Sequence, residues 1–127
     1  MRNQPAGIIL AAAGLVLAAC GGAGEAPAVE GPSGDAAAGQ VAYQTSCSVC
    51  HGMDGMGVTG LGADLTASTF VGDTAEADLV QFLARGLSAS DPQNETGIGM
   101  PASGGNPSFT ETDLINIVAY LRTINNP

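Results

Sequence analysis

Cys47-Ser48-Val49-Cys50-His51 is the stretch on which the reading of this chain turns. Two cysteines separated by two residues and followed at once by histidine have the spacing at which haem is covalently attached to polypeptide. The reason is chemical: the two thiols reach the two vinyl groups on one side of a porphyrin, and the adjacent imidazole is carried under the iron. Other readings of the pair meet obstacles. A thioredoxin-like dithiol needs a βαβ surround, and no strand-like run flanks this Gly- and Ala-rich segment. A zinc site needs a fourth ligand, and Cys20 is the only other cysteine or histidine in the 127 residues.

The rest of the composition fits a cofactor-filled interior. With no Trp, two Tyr and three Phe, the chain is poorly supplied with core-forming side chains for one domain. A bound haem supplies much of that apolar volume, so the apoprotein is expected to fold poorly.

Before the motif, residues 1–19 read as a targeting segment: Arg2 is a positive start and residues 6–19 are an apolar run too short to span a bilayer comfortably. Leu17-Ala18-Ala19-Cys20 resembles the lipobox of bacterial lipoproteins, which implies cleavage before Cys20 and acylation of its amine and thiol. The alternative is an ordinary secretory signal with an incidental cysteine. Residues 20–34, the acylated Cys20 and then Gly, Ala, Pro, Glu and Ser with Val29 as the main apolar member, read as a flexible tether. Residues 35–127 form the haem domain. Haem attachment and lipidation both belong outside the cytoplasmic membrane, so the expected location is the cell envelope, with a stable hold from more than one acyl chain.

Without residues 1–19 the chain keeps two strong cations, Arg85 and Arg122, against twelve Asp and Glu, a balance of −10. That excludes nucleic acid as a partner and direct adhesion to anionic lipid. There is no lysine at all, so a docking surface cannot be lysine-based and the partner's face is expected to be basic or mainly apolar.

From Asp35 to Asn125 the chain resembles the small bacterial class I cytochromes c, with Cys47-Ser48-Val49-Cys50-His51-Gly52 near the front, Gly99-Met100-Pro101 towards the back and a helix at the end. The resemblance implies an all-α fold of three main helices and Gly-rich loops wrapped around one haem c, held through Cys47 and Cys50. His51 is then the proximal ligand through Nε2, and the thioether of Met100 the distal one. It further implies that Gly39 and Tyr43 of the first helix cross Ile117 and Tyr120 of the last, and that docking occurs near Thr45, Val49, Ala102 and Ser103. In the family a carbonyl at or before a proline orients the proximal imidazole. Here residues 57–65 hold no proline, and a carbonyl near Gly62 is the expected substitute.

Local patterns fill in the elements. Asp35 is placed to cap a first helix ending near Ser46. Asp73 with Glu76 resembles a capping box opening a second, whose buried stripe is Leu79, Phe82 and Leu83 and whose stop is Gly86. Arg85 there is either a haem-propionate partner or a solvated cation favoured at a helix C-terminus. Thr110 and Asp113 form a capping box for a third helix with Leu114, Ile117, Val118 and Leu121 on its buried face. Met53 and Met56 follow His51 too closely to reach around a porphyrin and read as surface or packing residues. A haem with both axial positions filled has no place for substrate, so the expected role is electron transfer between redox proteins, as a tethered carrier or a subunit of a membrane complex. A peroxidase or gas-binding protein needs an open iron, and the chain has no second histidine to serve as a distal acid and base.

Overall fold

The computed structural model describes residues 33–126. The targeting segment, Cys20 and nearly all of the tether therefore lie outside the described residues. Within them the regular structure is helical, with no β-strand: α1 (Ala36–Ser46), α2 (Ser48–His51), α3 (Thr69–Asp73), α4 (Glu76–Arg85), a short 3₁₀ turn (Ala102–Gly105) and α5 (Glu111–Ile124). The three main helices of the expected all-α fold are α1, α4 and α5.

Helix α1 starts where its cap dictates. The Asp35 carboxylate accepts from the amides of Ala37 and Ala38 at 2.8 and 3.1 Å, satisfying two of the otherwise unpaired donors of the first turn. Helix α5 starts on a complete capping box: Asp113 N–H donates to Thr110 Oγ1 at 3.3 Å and Thr110 N–H donates to Asp113 at 2.8 Å. The Thr110 hydroxyl also donates to that carboxylate and holds its pKa below the ordinary 3.8.

The two helices cross with their backbones in contact at Gly39. A Cβ on residue 39 would lie 3.0 Å from Ile117 N and much closer to the carbonyl of Asn116, so the crossing requires a residue without a side chain. One turn further on, Tyr43 and Tyr120 meet at 5.2 Å between ring centroids, tilted by 54°, and Tyr43, Ile117 and Val118 are the most deeply buried large side chains. The Tyr43 hydroxyl donates to the Gly52 carbonyl at 2.7 Å. This ties the helix crossing to the residue immediately after His51.

Helix α4 departs from the expected start. It begins at Glu76 with Ala75 as an uncapped N-cap, while Asp73 closes the short helix α3. The Glu76 carboxylate is engaged elsewhere, accepting from the amide (3.0 Å) and the hydroxyl of Ser33, so the box between Asp73 and Glu76 does not form. Helix α3 itself is an element the periodicity did not reveal, being only five residues long and capped by Ser68 Oγ on Val71 N–H at 3.2 Å. The rest of α4 follows the pattern, with Leu79 and Leu83 buried, Phe82 half-buried and Gly86 at φ 71° ending it.

Arg122 on α5 reaches back to the carbonyls of Val71, Gly72 (2.6 Å) and Thr74. It thus supplies donors to the C-terminal end of α3, where carbonyls lack helical partners. Since a hydrogen bond from a charged group contributes about 1.5–3 kcal/mol and this one is half-buried, Arg122→Ala is expected to cost about 2 kcal/mol. Thermal unfolding of the holoprotein should register it as a fall of roughly 10 °C; a shift under about 2 °C would show that these bonds add nothing net.

Candidate haem site

The front of the site is built by the join between α1 and α2. Cys47 ends α1 and caps α2, its amide donating to Tyr43 O at 2.8 Å. The single turn Ser48–His51 then sets Cys50 and His51 just beyond it. Both cysteines are half-buried. Before attachment, burial pushes the Cys47 thiol up to about 11. The Gly-rich segment that follows folds back on the motif, with Gly57 N–H donating to His51 O at 2.8 Å and Val58 N–H to Cys50 O at 3.0 Å.

That return brings Ala63 to the imidazole. His51 Nδ1 lies 2.8 Å from the Ala63 carbonyl oxygen. A carbonyl only accepts, so Nδ1 carries a proton, and in the neutral ring it is Nε2 that presents a lone pair. The acceptor is the carbonyl next to Gly62, in the neighbourhood expected, and no proline is needed. Asp64 stabilises the turn instead, accepting from the amide and hydroxyl of Thr66 at 2.7 and 2.6 Å and from Ala67 N–H at 3.3 Å; these bonds hold its carboxyl below the ordinary range. Asn125 secures the next stretch, its side-chain amide donating to Leu65 O and Ser68 O at 2.8 and 2.9 Å.

Met100 is fixed from another side. Leu87 and Met100 exchange both backbone hydrogen bonds at 2.8 Å, which closes the loop 88–99 at its base. Gly86 makes this approach possible: a Cβ there would lie 2.8 Å from Ala102 N and closer still to Met100 O.

A cavity of about 920 Å³ opens between these elements. Cys47, Cys50, His51 and Met100 all border it, and its walls are chiefly apolar, including Tyr43, Leu79, Phe82, Leu83, Leu87 and Leu121. A volume at the upper end of the range for cofactor pockets, two adjacent thiols, one imidazole with a free Nε2 and one thioether are a donor set that fits a porphyrin and its iron. Met53 and Met56 are exposed and do not border the cavity. Arg85 does not border it either; its guanidinium lies over the Phe82 ring, 5.6 Å from the centroid.

Comparison with known proteins gives the family. Residues 34–121 match the family described as cytochrome C oxidase, cbb3-type, subunit III. The chain belongs to this cytochrome c family. It is 34% identical over 92 residues to cytochrome c-555 of Chlorobaculum thiosulfatiphilum, covering 68% of this chain and 93% of that one. It is 32% identical over 102 residues to cytochrome c-554(547) of Halothiobacillus neapolitanus, covering 72% and 99%. Among solved structures, KustC0563 c-type cytochrome aligns with a TM-score of 0.49 at 15% identity, over 69% of this chain and 98% of that one. As a cytochrome c, the chain carries haem c bound covalently through Cys47 and Cys50 in its CxxCH motif.

Proposed function

We propose that this cytochrome c is a one-electron carrier with His51 and Met100 as axial ligands, tethered to a membrane by acylated Cys20 after loss of residues 1–19. The observation that carries the reading is that a singly oriented imidazole and a doubly hydrogen-bonded Met100 segment border one apolar cavity. Haem c supplies reversible one-electron chemistry when bound, and His/Met ligation sets its potential higher than harder ligand pairs do. The residues around it orient and enclose: Ala63 fixes the imidazole, Leu87 fixes the Met100 backbone, and the apolar walls exclude water. Filled axial positions leave none for a substrate, which supports a carrier over a peroxidase.

Following the family resemblance, electron exchange is assigned to the surface near Thr45, Val49, Ala102 and Ser103. Residues 36–53 and 96–110 contain no charged side chain, Val49 is 70% exposed, and the two segments are joined by a hydrogen bond from Ser46 to Gly104. A neutral face on an acidic protein suits a partner with an apolar contact surface and a basic surround.

Met100→Ala tests the ligation. Haem is expected to stay attached while the potential falls by on the order of 0.1 V, a fraction of the roughly 0.8 V that axial ligands command, and the reduced protein gains carbon monoxide binding at neutral pH. An unchanged spectrum and potential would remove Met100 from the iron. A second reading, a fixed subunit of a membrane complex, is favoured by the description of the matched family. Native separation of detergent-extracted membranes distinguishes the two: migration of haem and polypeptide with a large oxidoreductase makes it a subunit, and migration at its own size a tethered carrier.

A further inference from the structure

The chain just after Met100 takes an unusual path. Ser103, Gly104 and Gly105 are successive residues with φ of 51°, 62° and 81°, and Ser103 is the only non-glycine among the described residues with positive φ. Side chains other than glycine rarely adopt this region, and such backbone persists where its surroundings hold it. The turn's own bonds, Gly104 N–H to Pro101 O and Asn106 N–H to Ser103 O, both 3.1 Å, close it upon itself. What ties it to the front of the site is Ser46, whose hydroxyl donates to the Gly104 carbonyl at 2.5 Å across 58 positions of sequence. Ser46 is the last residue of α1 and immediately precedes Cys47. A Cβ on residue 104 would lie 3.4 Å from Cys47 Sγ, so the left-handed turn rests against the attachment cysteine.

Met100 is thus clamped on both sides: upstream to Leu87 at the end of α4, downstream through Ser46 to the haem-attachment helices. We propose that Ser46 is a positioning residue for Met100, the hydroxyl that fixes the Met100 segment to the front of the site and holds its thioether over the iron. This rests on the reading of Met100 as the distal ligand. Loss of the hydroxyl frees only one clamp, so the fold remains while the open state of the iron becomes more populated. An external ligand that competes with Met100 binds in proportion to that open fraction.

The test is a spectroscopic titration of the ferric holoprotein with imidazole, in the parent protein and in Ser46→Ala, Ser46→Thr, Met100→Ala and the Ser46→Ala/Met100→Ala double variant. Ser46→Ala is expected to raise the apparent affinity about fivefold, Ser46→Thr to return it to the parent value, and Met100→Ala to raise it further. The effect of Ser46→Ala should vanish in the Met100→Ala background, because there is no thioether left to position. If Met100→Ala raises the affinity but Ser46→Ala does not, the positioning role is overturned and the ligation stands. If Ser46→Ala acts equally in both backgrounds, it loosens the protein generally and the proposal fails. If Met100→Ala leaves the affinity unchanged, the distal assignment falls and the proposal with it.

Discussion

Replacing Gly39 with alanine is expected to destabilise the holoprotein by about 3 kcal/mol or more, the upper part of the usual overpacking range. Two effects of opposite sign compete. Alanine favours a helix over glycine by up to about 1 kcal/mol, and an exposed helix position would gain from the change. At position 39 the new methyl meets the Asn116 carbonyl and Ile117 N of α5, which are backbone atoms that cannot rotate away. Helices α1 and α5 must separate, and the Tyr43–Tyr120 contact and the bond from Tyr43 to Gly52 lie one turn further along the same crossing. The clash therefore wins. Thermal unfolding should fall by more than about 10 °C, and the haem absorption should report it because the disturbance reaches the residue beside His51. A melting temperature unchanged or raised would mean that the helices do not meet this closely.

His51→Ala is expected to cut the recovery of low-spin holoprotein by more than about tenfold. Loss of a group that merely orients a metal-binding imidazole typically costs 10- to 100-fold in metal affinity, and here the imidazole itself is removed. No other histidine exists in the chain to replace it. The cavity walls depend on the same event, since the domain has few large side chains of its own and Phe82 and Leu87 face the space a porphyrin fills. The check is the yield and absorption spectrum of the variant expressed beside the parent with haem-attachment machinery present. Recovery of normal low-spin holoprotein would remove His51 from the proximal position.

Much of this was legible from residues because local chemistry and tertiary structure agree. The caps at Asp35 and Thr110 form as their side chains dictate, and the crossing of Gly39 and Tyr43 with Ile117 and Tyr120 that the family resemblance implies is the one observed. What escaped the reading depends on partners distant in sequence. Glu76 is drawn to Ser33, 43 positions away, and so leaves Asp73 to end a separate helix. Arg122 serves carbonyls about 50 positions back, which no local pattern on α5 signals. An acceptor near Gly62 was expected, but the Ala63 carbonyl itself carries no side-chain signature; only the hydrogen bonds that Asp64 accepts from residues 66 and 67 mark that turn as rigid. Ser46 carries no local mark beyond its place at the end of α1, because its partner Gly104 is 58 positions away.

The pair of hydrogen bonds between Leu87 and Met100 has a consequence for engineering. By joining the two ends of residues 88–99, it makes that segment a closed loop whose length is separate from the placement of Met100. The entropy of such a loop grows slowly, by about 0.6 kcal/mol for each doubling. Residues 93–96 and 98 border the cavity, whereas residues 88–92 do not. A foreign peptide spliced between Ser90 and Asp91 is therefore expected to leave the Leu87–Met100 pair in place and to serve as an attachment point for a surface or a second domain; a haem absorption spectrum equal to the parent's checks it.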